Sequence, residues 1–167
     1  MIDVRRVEPD QWAELRDVRL RALADAPHAF ASTHAREVAF DESEWRRRIA
    51  GGPWWVARAD GAPVGLVAGY RTDDDVRHLV SMWVDIAHRG TGAAAGLVEA
   101  VCRWAADDGG RVMSLWVADG NDRARRFYER LGFTGTGERQ PLPSAPEVGE
   151  ERLERAILPT DSGNSSF

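Results

Sequence analysis

The sequence predicts a mixed α/β domain, and three observations lead there. Some stretches alternate apolar and polar residues singly, while others repeat apolar residues at steps of three and four, so strands and helices are both present. The two patterns interleave in the order β, α, α, β, β, β, α, β, α, β, β. The 167 residues, 43% hydrophobic and 29% charged, suffice for one soluble domain whose core needs no disulfide. Residues 1–159 are expected to form that domain, and the small, polar stretch 160–167 a flexible tail.

Ile2–Val7 alternates apolar and charged residues, as a first strand does. Pro9 and Asp10 open a helix in which Trp12, Leu15, Val18, Arg19 and Ala22 share a face, and Pro27 ends it. Asp41–Glu44 starts another helix, with Trp45 and Ile49 on one face, Arg46–Arg48 around it and Gly51-Gly52-Pro53 as its stop. Trp54–Arg58 and Val64–Tyr70 are strands joined through Asp60-Gly61, a strong hairpin signal. His78–Val84 follows the acidic turn Asp73–Asp75 and is apolar on both faces, which suits a central strand. Gly90-Thr91-Gly92 then leads into a helix over Ala93–Ala106. Val112–Val117 is a strand, and Asn121–Leu131 a helix with Ala124, Phe127, Tyr128 and Leu131 on one stripe, stopped by Gly132. Phe133–Glu138 and Leu153–Leu158 close the sheet, with Pro141–Pro146 as a loop between them.

Composition excludes several chemistries. There is no lysine, since all 22 basic residues are arginine, so a Schiff-base lysine and a P-loop lysine are ruled out. Cys102 is the single cysteine; it sits mid-helix beside Val101 and near Trp104, and is read as buried and inert. His28, His34 and His88 have no partners at ligand spacing, so no metal site is expected. A net charge of −5 argues against nucleic acid as a partner. The stretch Met1–Asp10 already carries charges, and no uncharged run approaches the roughly 20 residues of a spanning helix, so no membrane partner and a cytoplasmic location are expected.

The glycine loop after the central strand carries the chemistry. A helix start offers unpaired N–H groups and a positive dipole end, and glycines let a phosphate come close to both. Ala93, Ala94 and Ala95 keep that start narrow, and Arg89 adds a planar cation that fits phosphate oxygens. The plain alternative is a strand-to-helix turn that needs glycine for its bend. Gly90, Gly92 and Gly96 lack the spacing of a dinucleotide fingerprint, and three strand signals precede them where that fold has one.

Here the sequence resembles the GNAT superfamily of acyl-CoA-dependent N-acyltransferases. The family's signature Arg/Gln-x-x-Gly-x-Gly/Ala is met by Arg89, Gly92 and Ala94, and its later motif, an Asn, a helix and Tyr-x-x-x-Gly-Phe, by Asn121, Ala124, Tyr128, Gly132 and Phe133. The element order is also the family's. The resemblance implies a central, mostly antiparallel mixed sheet flanked by helices and splayed between strands 4 and 5, with acetyl-CoA as co-substrate in the gap.

The resemblance assigns Arg89, Gly90, Thr91, Gly92, Ala93 and Ala94 to the pyrophosphate, and the backbone of Met82, Trp83 and Val84 to the pantetheine arm. An N–H near Met82 or Trp83 would polarise the thioester carbonyl. Asn121 either caps its helix or touches the CoA arm. Tyr128 either packs on its stripe or donates a proton to the departing thiolate. One of Arg123, Arg125, Arg126 and Arg130 would approach the 3′-phosphate. The general base stays open between His78, water at Ser81 and Glu37; the plain reading of His78 is a surface residue at the sheet edge. The implied reaction is acetyl transfer to a primary amine of a small molecule or peptide, by direct attack in a ternary complex. The acceptor side would comprise residues 24–50, the Asp73–Asp75 turn and the Pro141–Pro146 loop. A non-catalytic acyl-CoA-binding module is the second reading. Seven tryptophans suggest a homodimer through exposed tryptophans or the late strands.

Overall fold

A computed structural model describes residues 1–158, so the expected tail lies outside the described residues. Seven strands form one sheet: β1 (Ile2–Arg6), β2 (Trp54–Ala59), β3 (Ala62–Arg71), β4 (Val76–Val84), β5 (Val112–Ala118), β6 (Thr134–Leu142) and β7 (Ala145–Ala156). Their order is β1-β2-β3-β4-β5-β7-β6. Every neighbouring pair is antiparallel except β4 and β5, which are parallel. The helices are α1 (Trp12–Asp25), α2 (His34–Val38), α3 (Glu42–Gly51), α4 (Ala93–Asp107) and α5 (Asp122–Arg130).

Alternation along the strands builds two cores. On β2, Trp54 and Val56 face α1 and α3, where Leu15, Val18, Leu23 and Trp45 are buried. Trp55 and Ala57 face the other way, onto Leu97, Val98 and Val101 of α4. That second layer continues over Met113, Leu115 and Val117 of β5 to Tyr128, Phe133 and Leu153. Asp60 (φ 49°) and Gly61 (φ 85°) both hold the left-handed conformation that a two-residue hairpin between β2 and β3 requires. Asp41 caps α3 by accepting from Glu44 N at 2.9 Å.

Three expectations are corrected. Pro141–Pro146 is not a loop: β6 runs to Leu142 and β7 begins at Ala145, leaving two residues between them. Proline is tolerated there because β6 is an edge strand, where a missing N–H breaks no ladder on the open side. The exposed tryptophans do not exist: Trp45, Trp54, Trp55 and Trp83 are buried, and Trp12, Trp104 and Trp116 half-buried, because they fill the two layers. His78 is not a surface residue; the pairing of β4 with β5 buries it. The short helix α2, capped by Thr33 accepting from Arg36 N, was not foreseen.

Candidate active site

The sheet opens at its centre. Parallel pairing of β4 with β5 is confined to Val76–Val112, Arg77–Met113 and His78–Ser114. Beyond these, β4 continues to Val84 and β5 to Ala118 without pairing each other, while β3 and β7 occupy their far edges. Asp85 N donates to Val64 O of β3 at 2.8 Å. Main-chain groups alternate sides along a strand, so Trp83 also faces β3, and the N–H groups of Met82 and Val84 face the opening. The Trp83 ring lies in the α1 layer, where its Nε1 donates to Asp25 at 2.9 Å.

At the mouth of this opening a short 3-10 turn, Ile86–His88, hands the chain to the glycine loop. Gly90 (φ 78°) and Gly92 (φ 90°) both lie in the left-handed region, and Gly92 is the N-cap of α4. The first bond of the helix runs from Gly96 N to Gly92 O at 2.9 Å, so the N–H groups of Ala93, Ala94 and Ala95 have no intrahelical acceptor. A Cβ placed on Gly90 or Gly92 would meet nothing within 4 Å. The loop therefore presents free donors to open space, with exposed Arg89 beside it, which is the arrangement a pyrophosphate fits. Thr91 turns its hydroxyl inward, donating to His88 O, and so stiffens the loop.

Tyr128 lies beneath the opening, in the core cluster that includes Leu79 and Val84 of β4 and Leu115 and Val117 of β5. Its ring meets Phe127 and Phe133 edge-on, at 5.1 and 5.6 Å. Burial pushes the phenol well above its usual range, so it is protonated at neutral pH. Asn121 caps α5, its Oδ1 accepting from Ala124 N at 3.2 Å, which leaves its amide NH2 free. Of the four arginines on α5, Arg125 is engaged with Glu151 at 2.5 Å and Glu129 at 3.7 Å. Cys102 is buried and its thiol is pushed up to about 11 by burial, as an inert thiol requires.

The three base candidates separate. Glu37 is 1% exposed and receives Arg19 Nε and Nη2 on its two oxygens at 3.0 and 3.1 Å, and Arg48 Nη1 at 2.5 Å. Burial alone would raise its pKa, but hydrogen bonds from Arg19 and Arg48 outweigh it and hold the carboxyl at about 2. A carboxylate so gripped is a poor proton acceptor. Burial first, and then the charge of Arg152, lowers His78 to about 4, so its imidazole is neutral at pH 7. Its Nδ1 sits 2.8 Å from Ser114 Oγ. Ser81 Oγ accepts from Arg19 Nη1 at 3.1 Å, and its own O–H remains available. The Asp73–Asp75 turn lies at the paired end of β4, away from the opening, and Asp73 Oδ1 is taken up by the N–H groups of Asp75 and Val76. The hairpin between β6 and β7 reaches the segment between α1 and α2, where Ser144 Oγ donates to His28 O at 3.1 Å. Among the described residues no group of three His, Cys, Asp or Glu side chains could hold a metal, and no helix is long and apolar enough to cross a membrane.

The buried Arg19–Glu37–Arg48 network was not read from the sequence. Its signal was there: Arg19 lies on the apolar face of α1, and a charge on such a face calls for a buried partner.

Comparison with known proteins agrees with this geometry. The acetyltransferase (GNAT) family model matches residues 12–133. An uncharacterized N-acetyltransferase of Mycobacterium tuberculosis is 41% identical over 84 residues, covering 50% of this chain and 54% of that protein. Human N-acetyltransferase 8B is 33% identical over 93 residues, or 53% of this chain and 41% of that protein. The chain thus spans about half the length, or less, of these curated relatives. Among solved structures, a GNAT-family acetyltransferase from Streptococcus pneumoniae superposes with a TM-score of 0.76 at 19% identity, over 95% of this chain and 100% of that one. The structure of yncA from Salmonella typhimurium with its cofactor acetyl-CoA gives 0.72 at 18% identity over 99% of both chains. These structures show the same fold, and with the family model matching well over half of its residues the chain belongs to the GNAT family of acetyltransferases.

Proposed function

We propose that the protein is an N-acetyltransferase that moves an acetyl group from acetyl-CoA to a primary amine of a small molecule or peptide, by direct attack within a ternary complex. The observation that carries this reading is the gap between β4 and β5 with free helix-start donors at its mouth. Arg89, Gly90, Thr91, Gly92, Ala93 and Ala94 would hold the pyrophosphate. The main chain of Met82 and Val84 would pair with the pantetheine arm as an added strand, and the free amide of Asn121 would touch it. Acetyl-CoA supplies the activated thioester.

The remaining chemistry belongs to the chain. The Met82 N–H faces the opening and polarises the carbonyl, a contact worth about 3 kcal/mol to the rate. Of the two donors the resemblance offered, Trp83 faces β3, so Met82 carries the role. The Tyr128 hydroxyl, kept protonated by burial, gives its proton to the departing sulfur. The amine proton leaves by water at Ser81 or through the neutral imidazole of His78. We place the reaction in the cytoplasm and in a homodimer joined through the late strands, because β6 is an edge strand with its outer main chain free to pair. A panel of amines incubated with acetyl-CoA under thiol detection tests the activity. Acetyl-CoA binding without CoA release from any amine would favour the non-catalytic binding module instead.

A further inference from the structure

Ser81 has φ 61°, and among the described residues only Asp60 shares a positive φ without being glycine. Non-glycine residues rarely hold that conformation unless their surroundings enforce it. The position is a bulge: Leu66 pairs with Trp83 and Ala68 with Val80, so Val67 stands opposite both Ser81 and Met82. The extra residue sets the alternation of everything after it. Val80 and Trp83, three apart, lie on the face of the sheet that carries α1, and the Met82 N–H turns outward into the opening. Without the bulge the alternation would slip by one, and the Met82 N–H would turn toward β3.

The enforcement comes from outside the sheet. Arg19 of α1 is 4% exposed and donates from Nη1 to Ser81 Oγ at 3.1 Å. Its other two nitrogens are engaged by Glu37 of α2, and Glu37 is gripped in turn by Arg48 of α3. The rings of Phe30 and Trp54 lie 4.6 and 5.8 Å from the Arg19 guanidinium. Every donor nitrogen of Arg19 is accounted for, so its head group has one position. Buried ion networks are weak devices for stability, since apolar side chains of the same volume often serve as well. What this one supplies is placement: three helices converge on a single hydroxyl.

We propose that Arg19 is a positioning residue: through Ser81 it holds the left-handed bulge that points the Met82 N–H at the thioester carbonyl of acetyl-CoA. The inference rests on the reading of the β4–β5 gap as the acyl-donor site. It adds a structural cause for the direction of that donor, and it assigns the Arg19–Glu37–Arg48 network to geometry rather than to proton transfer.

The test compares wild type with Arg19→Met, Arg19→Lys, Ser81→Gly and the Arg19→Met/Ser81→Gly double variant. Arg19→Met leaves Glu37 paired with Arg48, and a melt of each protein checks folding; Arg19→Lys stands in if the methionine variant does not fold. The first readout needs no ligand. Hydrogen exchange at the Trp83 amide, which faces β3 just after the bulge, should speed up at least tenfold in Arg19→Met, with the amides of α4 unchanged. Wild-type exchange there would overturn the proposal whatever the activity. The second readout is the infrared carbonyl band of bound acetyl-CoA labelled with 13C at the acetyl carbon. It should lie below the free value in wild type and move back toward it in Arg19→Met, while affinity for CoA itself stays within threefold. The third is turnover with any amine the panel yields: kcat should fall ten- to a hundredfold in Arg19→Met with KM for acetyl-CoA little changed. In the Ser81→Gly background the same substitution should change kcat less than twofold, because the contact is already gone. Equal losses in both backgrounds would show that Arg19 acts without Ser81 and sink the idea. A wild-type protein that shows faster exchange on Arg19→Met yet no acetyl-CoA binding would retain the Arg19–bulge link and refute the donor-site reading instead.

Discussion

Tyr128 combines a buried ring with a protonated hydroxyl, and the two roles come apart on substitution. Tyr128→Phe keeps the edge-on contacts with Phe127 and Phe133 and removes only the proton donor. We expect kcat to fall by about one to four orders of magnitude, with CoA affinity and melting temperature nearly unchanged. Steady-state turnover beside a thermal melt decides it, and equal turnover numbers would leave Tyr128 as a packing residue. Gly92 answers a different question. A valine there would have to hold φ 90° and would fill the open space above the α4 N–H groups. Gly92→Val should weaken CoA binding at least a hundredfold by calorimetry, and normal binding by the folded variant would remove the phosphate cradle. His78 makes stability depend on pH. Its folded pKa of about 4 lies below the ordinary histidine value of 6.5, so the unfolded chain binds the extra proton between those values. The neutral-imidazole contribution is complete above pH 6.5 and declines as pH falls to 4, by about 3 kcal/mol in total. Denaturant midpoints across that range should drop in wild type and be flatter in His78→Gln. The burial of Tyr128 and the glycine turn into α4 were legible in the sequence because helix stripe and loop spacing are local patterns. The burial of His78 was not, because it depends on Ser114, a residue 36 positions away.

Elements were legible where the hydrophobic period is long or the turn chemistry strong. Asp60-Gly61 fixed the β2–β3 hairpin, and the stripe of α5 fixed its buried face. The β6–β7 hairpin was misjudged because its prolines sit on an open edge, where they do not interrupt the ladder. The bulge at Ser81 left no mark either, since serine carries no preference for a positive φ. It arises from contacts that only the assembled helices supply. Asn121 belongs at this scale, since it starts α5. Asn121→Asp keeps an oxygen acceptor for the Ala124 N–H and places a negative charge at a helix start, so the melting temperature should hold or rise slightly. If the amide also donates to the CoA arm, affinity should fall about tenfold, since that donor becomes a repelling charge. Unchanged affinity by calorimetry would leave Asn121 as a cap alone.

At the scale of the molecule, the alternation of element types conveyed the class of fold, while strand order was beyond it: nothing local announces that β7 inserts between β5 and β6. The proposed dimer belongs here as well. Light scattering at high protein concentration should give twice the chain mass, and charged substitutions on the outer edge of β6 should halve it; a monomer mass would remove the claim. The confinement of β4–β5 pairing to three residue pairs has a mechanical consequence. The sheet is two panels, β1–β4 with α4 laid across them and β5–β7 beside them, joined along a seam that is closed for only part of its length. A seam of that kind is compliant, and a molecule lying in its open part acts as a clasp. Saturating CoA should therefore stiffen the whole protein as well as its own site, adding about 2.7 kcal/mol at a hundredfold excess over Kd. Donor binding would then set the angle between the panels before an amine arrives, and the order in which the two substrates bind becomes a property of the hinge.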